Sequence, residues 1–215
     1  MSASAWVWAS DFISFAIIHD RCQGTGRRDR FSTIKTRTAF RGLTLDKTGA
    51  GPSVEIVRLD DGREFLLRPL HTSDLDALRR AFQRLTPEEV ELRFLHQSRE
   101  LPAFIENEVR ELDPARDAAF VLEHEGEIRA VADLHVEPTD PALAEFGLIV
   151  GQAVAGHGLG RLLMQRLLVE ARRRGVALHG IVRRDNARML DLCRSLGGTA
   201  SIEPGEPGLM AVRFA

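Results

Sequence analysis

A glycine turn set between a strand and a helix constrains the fold of this chain more than any other feature. Residues 154–168 read VAGHGLGRLLMQRLL, so three glycines alternate with other residues directly before an amphipathic run. The preceding stretch LAEFGLIVG, residues 143–151, reads as a strand. Glycines let the backbone approach a ligand closely, and a helix N-terminus presents free N–H groups and positive partial charge. The pattern therefore predicts an α/β domain with an anion site at the turn.

Two common phosphate-binding motifs do not fit this turn. A P-loop needs GxxxxGK followed by Ser or Thr, whereas Gly160 is followed by Arg161 and Leu162. The dinucleotide fingerprint needs GxGxxG, whereas the three glycines give GxGxG. Arg161 lies in the predicted first helical turn, where it can add positive charge against a phosphate.

The rest of residues 54–215 reads as alternating strands and helices. The predicted elements are a strand at 63–70, helices at 74–85, 87–97 and 102–112, two strands joined at 125–126, a helix ending at Gly175, a strand at 177–183, a helix within 186–198 and a strand at 209–214. In the second arm of the hairpin, alternation places Ile128 with Ala130 and Ala132 on one face. Asp133 and His135 then share the opposite face.

The first 52 residues differ from the rest because they are rich in Arg, Thr and Ser and show no clear period. We predict that residues 1–52 form a disordered or loosely packed extension and that residues 53–215 form the domain, with GAGPS as a linker. An Arg- and Ser-rich leader is also typical of an organelle transit peptide, but Asp11, Asp20 and Asp29 weigh against that interpretation.

Composition restricts the partners. The net charge of −2 gives no reason to expect a nucleic-acid or membrane partner, and the longest apolar stretch, residues 5–18, is too short to span a bilayer. The two cysteines, Cys22 and Cys193, form neither a disulfide framework nor a zinc motif, so we predict no metal and a cytoplasmic location. The oligomeric state is left open.

Residues 150–175 resemble the acyl-CoA-binding segment of the GNAT superfamily of N-acetyltransferases, whose usual form is V-x-x-x-x-(R or Q)-G-x-G-(I or L)-G. The matching positions are Val150, Gly156, Gly158, Leu159 and Gly160. Ala155 stands where Arg or Gln is usual, but this loop binds mainly through backbone N–H groups, so we expect binding to survive. The resemblance implies acetyl-CoA as the acyl donor.

Two further segments resemble the same superfamily, so the similarity covers residues 54–215. In DNARMLDLCRSLGG, Asn186 falls at the asparagine that commonly meets the pantetheine arm. Residues 66–97 resemble bacterial protein-lysine acetyltransferase GNAT domains. The implied fold is α/β, with a mixed, largely antiparallel central sheet flanked by helices. The implied coenzyme-binding residues are Ile149, Val150, Ala155, Gly156, His157, Gly158, Leu159, Gly160, Arg161 and Asn186.

The implied reaction is direct attack of a primary amine on the thioester, which requires removal of a proton. A lysine-like amine with a pKa of about 10.4 is neutral only about once in a thousand at pH 7. By resemblance, the glutamate that opens the fourth strand removes this proton, and LAEFGLIV makes Glu145 the candidate base. Glu145 lies about 13 Å along the strand from Ile149, near the turn. Asp133 and His135 are the competing candidates.

The remaining roles are less specified by the sequence. A backbone N–H near Ile149 or Val150 is the implied oxyanion donor, and His157 is expected to lend its N–H rather than its imidazole. Cys193 occupies the position of the family's usual proton-donating tyrosine, and the chain contains no tyrosine. Cys193 either donates a proton or packs in the core, and we favour packing. The general acid is therefore unassigned.

The sequence predicts an acetyl-CoA-dependent N-acetyltransferase, with a protein lysine favoured over a small amine as acceptor. The alternative is a non-catalytic acyl-CoA-binding sensor. Ala155, the missing tyrosine and Gly198, where an aromatic residue is common, favour the sensor, whereas Glu145 argues against it. A third possibility is a different acyl donor, such as succinyl- or propionyl-CoA. The volume of the pocket at the end of the fourth strand would decide which acyl group fits.

Overall fold

The computed structural model describes residues 43–48 and 54–215, which contain one mixed sheet and five helices. The strands are β1 (Leu43–Thr48), β2 (Val54–Leu59), β3 (Glu64–Pro69), β4 (Asp117–His124), β5 (Glu127–Val136), β6 (Leu143–Val150), β7 (Ala177–Arg183), β8 (Thr199–Glu203) and β9 (Glu206–Phe214). The helices are α1 (Leu75–Gln83), α2 (Pro87–Phe94), α3 (Ala103–Arg110), α4 (Leu159–Arg174) and α5 (Ala187–Ser195). The predicted α/β class is confirmed.

The sheet runs in the order β1-β2-β3-β4-β5-β6-β7-β9-β8 within these residues. All neighbouring strands pair antiparallel except β6 and β7, which are parallel. Helix α4 is the crossover between the two parallel strands, as a parallel connection requires. The largely antiparallel sheet flanked by helices is therefore as predicted.

The helix ends follow from local chemistry. The Thr86 side chain accepts from the Glu89 N–H at 3.2 Å, and Glu89 returns a bond to the Thr86 N–H at 2.7 Å, which forms a capping box ahead of Pro87. Helix α4 ends at Gly175, whose φ of 72° is the left-handed conformation that closes many helices. None of the helices in the described ranges is long and apolar enough to cross a membrane.

The sheet separates two apolar clusters. The larger cluster packs α4 and α5 against one face and includes Leu134, Phe146, Leu163, Leu167 and Phe214. The smaller cluster lies under α1 and α3 on the opposite face and includes Leu78, Val109, Ala119, Val121 and Ile128. The candidate site residues that alternate with Phe146 on β6 therefore face the side covered by α1–α3.

Ile128 departs from the predicted alternation. The pairing of β4 with β5 shifts register between Leu122 and Glu123, so that Ala130 pairs with Leu122 whereas Ile128 pairs with Glu123. This irregularity, a β-bulge around Arg129, turns Ile128 into the smaller cluster and away from Ala130. The prediction that the two share a face was wrong, because simple alternation does not include the extra residue.

Three strands were not anticipated. Strands β2 and β8 are short and flank turns, and β1 lies within residues 1–52, where no element was predicted. Strand β1 pairs with β2 along its full length. The other predictions for residues 1–42 and 49–53 lie outside the described residues.

Candidate active site

Strands β6 and β7 pair only where they begin. Their register pairs are Leu143 with Ala177, Ala144 with Leu178 and Glu145 with His179. Beyond Glu145 the two strands no longer pair, although β6 continues to Val150 and β7 to Arg183. The sheet therefore opens into a gap whose closed end is at Glu145 and whose open end leads to the glycine turn.

The glycine turn has the backbone conformation that its residues predict. Gly156 and Gly158 have φ values of 87° and 80°, which are left-handed conformations that favour glycine. Gly158 caps α4, and the first intrahelical bond runs from the Leu162 N–H to the Gly158 carbonyl at 3.0 Å. The N–H groups of the first helical turn, from Leu159 to Arg161, therefore have no helical acceptor, which is the arrangement that favours an anion at a helix N-terminus.

Contacts from two other elements hold this turn. Glu89, at the start of α2, accepts from the Gln152 N–H at 2.6 Å. Arg63, after the β2–β3 turn, lies 2.9 Å from His157 Nε2 and donates to the Ala153 carbonyl at 3.3 Å. Because arginine only donates, Nε2 of His157 is the acceptor. The His157 imidazole thus anchors the turn, and its backbone N–H remains the group able to meet a ligand.

The other predicted coenzyme-binding residues border the open end of the gap. Ile149 and Val150 end β6, and Ala155 follows the short turn at 152–154. Asn186 caps α5, with its side-chain oxygen accepting from the Met189 N–H at 3.1 Å. Its amide nitrogen is thus the group left to meet a ligand. Arg161 donates to Ser195 Oγ at 2.6 Å, which ties α4 to α5.

Glu145 is half-buried at the closed end of the gap, on the face covered by α1–α3. Its register partners are His135 on β5 and His179 on β7. Burial raises the pKa of its carboxyl group above the ordinary value, against the opposing effect of the Arg93 charge. A carboxylate with a raised pKa is a stronger base, which suits proton removal.

His135 is held by three carboxylates. Its Nδ1 lies 3.2 Å from Asp117 Oδ1, and its Nε2 lies 3.9 Å from Asp133 and 4.0 Å from Glu108. Burial opposes protonation, but the Asp117 hydrogen bond and the charges of Asp133 and Glu108 outweigh it and raise the pKa of His135 to about 9. At pH 7 this imidazole is therefore a cation and has no lone pair with which to accept a proton.

Arg93 covers the middle of β6. Its guanidinium bonds Asp133 at 3.2 Å, and the pair lies directly over Gly147. A Cβ at position 147 would lie 2.0 Å from the guanidinium and 2.3 Å from the Asp133 carboxylate. A side chain at position 147 would therefore displace this ion pair, which neutralises Asp133 beside Glu145.

Cys193 is fully buried in the larger cluster. Burial raises the pKa of its thiol to about 11. Gly198 lies against the same region, because a Cβ there would lie 2.8 Å from the Phe214 ring. The Phe214 ring thus occupies the space beside position 198, where an aromatic residue is common in the superfamily that the sequence resembles.

Within the described ranges, no group of three or more His, Cys, Asp or Glu side chains is arranged to hold a metal ion.

Comparison with known proteins agrees with this geometry. The model of the Acetyltransferase (GNAT) family matches residues 75–197, which is more than half of the chain. An acetyltransferase of Pseudomonas aeruginosa is 31% identical over 161 residues, covering 73% of this chain and 87% of its own length. The chain therefore belongs to the GNAT acetyltransferase family and is an enzyme of that type.

Solved structures show the same fold. The GNAT domain of S. lividans PAT is 23% identical with a TM-score of 0.67, covering 74% of this chain and 94% of that chain. The yncA protein of Salmonella typhimurium, solved with its cofactor acetyl-CoA, is 21% identical with a TM-score of 0.54, covering 69% of this chain and 91% of that chain.

Sequence reasoning did not find every residue of the site. Glu108 and Asp117 meet His135 from α3 and from the start of β4, and Arg93 reaches over β6 from α2. Each is an ordinary charged residue of an amphipathic element, so no local pattern distinguishes it. The nearest signal was Gly147, a glycine inside a strand, which often marks close approach by another group.

Proposed function

We propose that this chain transfers the acetyl group of acetyl-CoA to a primary amine, with Glu145 as the general base. The observation that carries the proposal is the placement of Glu145 at the closed end of the β6–β7 gap, with the glycine turn at the other end of β6. One strand thus aligns a base with an anion site. The gap between them suits an extended acyl arm, and an acceptor amine can approach on the face that Glu145 shares with α1–α3.

The charge states of its neighbours support Glu145 over its competitors. His135 is already protonated at pH 7, with its pKa raised to about 9, so it is not a base there. Asp133 is paired with Arg93 at 3.2 Å. In contrast, Glu145 forms no ion pair within 4.0 Å in the described part of the chain, and burial raises its pKa. It is the carboxylate best suited to take an amine proton.

We assign the coenzyme to the turn and gap described above. The free N–H groups at the start of α4 suit the diphosphate, and the Asn186 amide suits the pantetheine arm. A backbone N–H near Ile149 or Val150 would stabilise the oxyanion of the tetrahedral intermediate. Because Cys193 is buried with a raised pKa, solvent protonates the leaving thiolate in this proposal.

We favour a protein lysine as the acceptor, because aromatic rings lie on α2 and α3, among the helices that cover the sheet face to which Glu145 belongs. The rings of Phe94 and Phe104 lie 6.3 Å apart, at the end of α2 and the start of α3. Glu108 follows Phe104 by one helical turn and reaches toward His135. This apolar edge beside carboxylates matches four methylenes that end in an ammonium group.

Calorimetric titration of acetyl-CoA tests the site directly. The informative variant is Gly158→Trp, which places a bulky side chain at the anion site. Gly175→Trp is the matched control, because Gly175 is also a left-handed cap of α4 with open space around it but lies about 24 Å away at the other end. We expect binding by the wild type and the control and none by Gly158→Trp.

Amine-dependent thioester cleavage then separates the enzyme from the sensor. Peptides containing lysine and small primary amines are the acceptors to compare. Turnover that Glu145→Gln abolishes supports the proposed reaction. Tight binding of acetyl-CoA without turnover with any amine would instead support the non-catalytic sensor.

A further inference from the structure

Four titratable side chains form a row across four neighbouring strands. Asp117 pairs with His135, His135 with Glu145, and Glu145 with His179. Register partners place their side chains on the same face of a sheet, with strands about 4.8 Å apart. Glu145 therefore has a histidine on each side.

The two histidines differ in the groups that hold them. His135 is enclosed by Asp117, Asp133 and Glu108, which keep it charged. His179 has one carboxylate partner in the described residues, since its Nε2 lies 3.0 Å from Glu137 Oε1. Both side chains of this second pair reach solvent, with exposed fractions of 26% for His179 and 29% for Glu137.

The Glu137 bond crosses β6 beside Glu145. The Glu137 N–H donates to the Leu143 carbonyl at 2.9 Å, which continues the β5–β6 ladder by one residue, and the side chain then spans β6 to reach β7. An ionised carboxylate only accepts hydrogen bonds, so Nε2 of a neutral His179 carries the hydrogen. Its Nδ1 is then an acceptor without a hydrogen-bond partner among the described residues, and the orientation of the ring is fixed by Glu137.

Glu145 needs a route by which to lose the proton that it takes. The carboxyl group is half-buried and burial favours its protonated form, so a neighbouring proton acceptor would help it return to the ionised form. On the His135 side the row is closed, because that imidazole already carries both protons. On the His179 side the row leads to solvent.

We propose that His179 is a positioning residue that passes the proton from Glu145 to solvent, with Glu137 fixing its tautomer. The inference rests on the proposed function. The ammonium group of the acceptor gives one proton to Glu145, and the neutral amine attacks the thioester. As the C–S bond of the tetrahedral intermediate breaks, its nitrogen loses a second proton to solvent and the leaving thiolate takes one proton from solvent. Glu145 passes its own proton to Nδ1 of His179, directly or through one water, while the Nε2 hydrogen stays on the bond to Glu137. The imidazolium then releases one proton to water, which restores Glu145 and His179 for the next cycle.

The test is the turnover of His179→Ala in dilute buffer with saturating acetyl-CoA and amine. We expect kcat to fall on the order of tenfold to a hundredfold, with the affinity for acetyl-CoA in calorimetry unchanged. Added imidazole should restore much of kcat, because a free base can take the proton from Glu145. Glu137→Gln should lower kcat less, since the ring remains but its tautomer is no longer fixed.

Two control variants separate a loss of proton transfer from a loss of folded structure. His71→Ala removes an exposed histidine before α1 and should change neither kcat nor its response to imidazole. His179→Gln keeps the size and polarity of the side chain, and thermal melting shows whether each variant is folded. Folded His179→Gln should share the loss of kcat.

The outcomes distinguish failure of the proposed acetyl transfer from failure of the His179 relay. Wild-type protein without acetyl transfer would overturn the proposed function and the relay with it. Wild-type transfer with an equal kcat for His179→Ala in dilute buffer would overturn the relay alone. A loss of kcat that imidazole does not restore would also overturn it, because such a loss is structural.

Discussion

At the scale of single residues, the site is defined by what surrounds each charge. Glu145, Asp133 and Glu108 are all carboxylates near His135, yet only Glu145 combines partial burial with a position at the closed end of the β6–β7 gap. Asp133 is neutralised by Arg93, and Glu108 lies on α3 with an exposed side chain. Environment and position, rather than residue type, are therefore the grounds on which we propose Glu145 as the base.

Glu145→Gln should lose activity without losing stability. We expect kcat to fall by about 10²- to 10⁴-fold, the usual contribution of a general base. The raised pKa of Glu145 means that its ionised form is disfavoured in the folded state, so above that pKa the charge lowers the free energy of unfolding. Glutamine removes this penalty, and the melting temperature at pH 8 should equal or exceed that of the wild type. A melting temperature clearly below the wild type would contradict this account.

The His135 cation should make stability depend on pH. Its pKa is about 9 in the folded chain and 6.5 as an ordinary value, so the folded state binds its proton more tightly. The contribution is fully present below pH 6.5 and is lost as the pH rises through 9, by at most about 3 kcal/mol. Urea unfolding between pH 6 and pH 9.5 should show this fall.

The matched variant for that measurement is His135→Gln, which cannot titrate. Its free energy of unfolding should be lower than that of the wild type at pH 6 and should change less between pH 6 and pH 9.5. Parallel pH profiles for the two proteins would exclude His135 as the source of the dependence.

At the scale of elements, α4 combines a place in the core with the binding role that we propose for its N-terminus. Its buried side is formed by leucines at helical spacing, and its two ends are glycines in left-handed conformations. The C-terminal glycine only ends the helix. The N-terminal glycine also positions the free N–H groups to which we assign the diphosphate.

Two alanine substitutions at the start of α4 should have opposite effects. Gly158→Ala places a Cβ on a residue with a φ of 80° and should destabilise the fold by about 1 kcal/mol. Gly160→Ala lies inside the helix, where the nearest atom would be 3.5 Å from the new Cβ, and should stabilise it by up to about 1 kcal/mol. Urea unfolding at pH 7 measures both. Equal effects would mean that backbone conformation does not decide the difference.

Elements with strong local signals were predictable from the sequence. The glycine turn, the leucine spacing of α4 and the position of Glu145 are all local patterns, and each indicated its element directly. The bulge at Arg129 was not, because an extra residue leaves no local mark on alternation. Long-range ion pairs such as that of Arg93 with Asp133 join residues 40 positions apart, and only the assembled fold brings them together.

At the scale of the whole molecule, a buried ion pair joins the first strands to α4. Glu55 on β2 is 1% exposed and bonds Arg166 on α4, while its second oxygen has no hydrogen-bond partner among the described residues. A carboxylate buried in this way depends on its one cation. The pair therefore holds β2 against the helix that begins at the glycine turn.

Removing the cation alone should be costly. Arg166→Met leaves the Glu55 charge buried without a partner and should destabilise the fold by about 3–5 kcal/mol. The double variant Glu55→Leu with Arg166→Met removes both charges and should recover most of that loss. Urea unfolding of the two variants provides the measurement. A double variant as unstable as the single one would show that the shape of the arginine, rather than its charge, is what matters.

The short pairing of β6 with β7 also predicts which part of the sheet becomes more rigid when the site is occupied. In the described sheet, three residue pairs between β6 and β7 make up the strand pairing between the first six strands and the last three. The edge of β6 beyond Glu145 therefore has no strand partner on that side. An extended ligand carrying amide groups could form hydrogen bonds with this open edge and so rigidify it. Amide hydrogen exchange in residues 146–150 should therefore slow on addition of acetyl-CoA far more than exchange in β2 or β3. The cofactor would serve as a structural member of the sheet for as long as it stays bound.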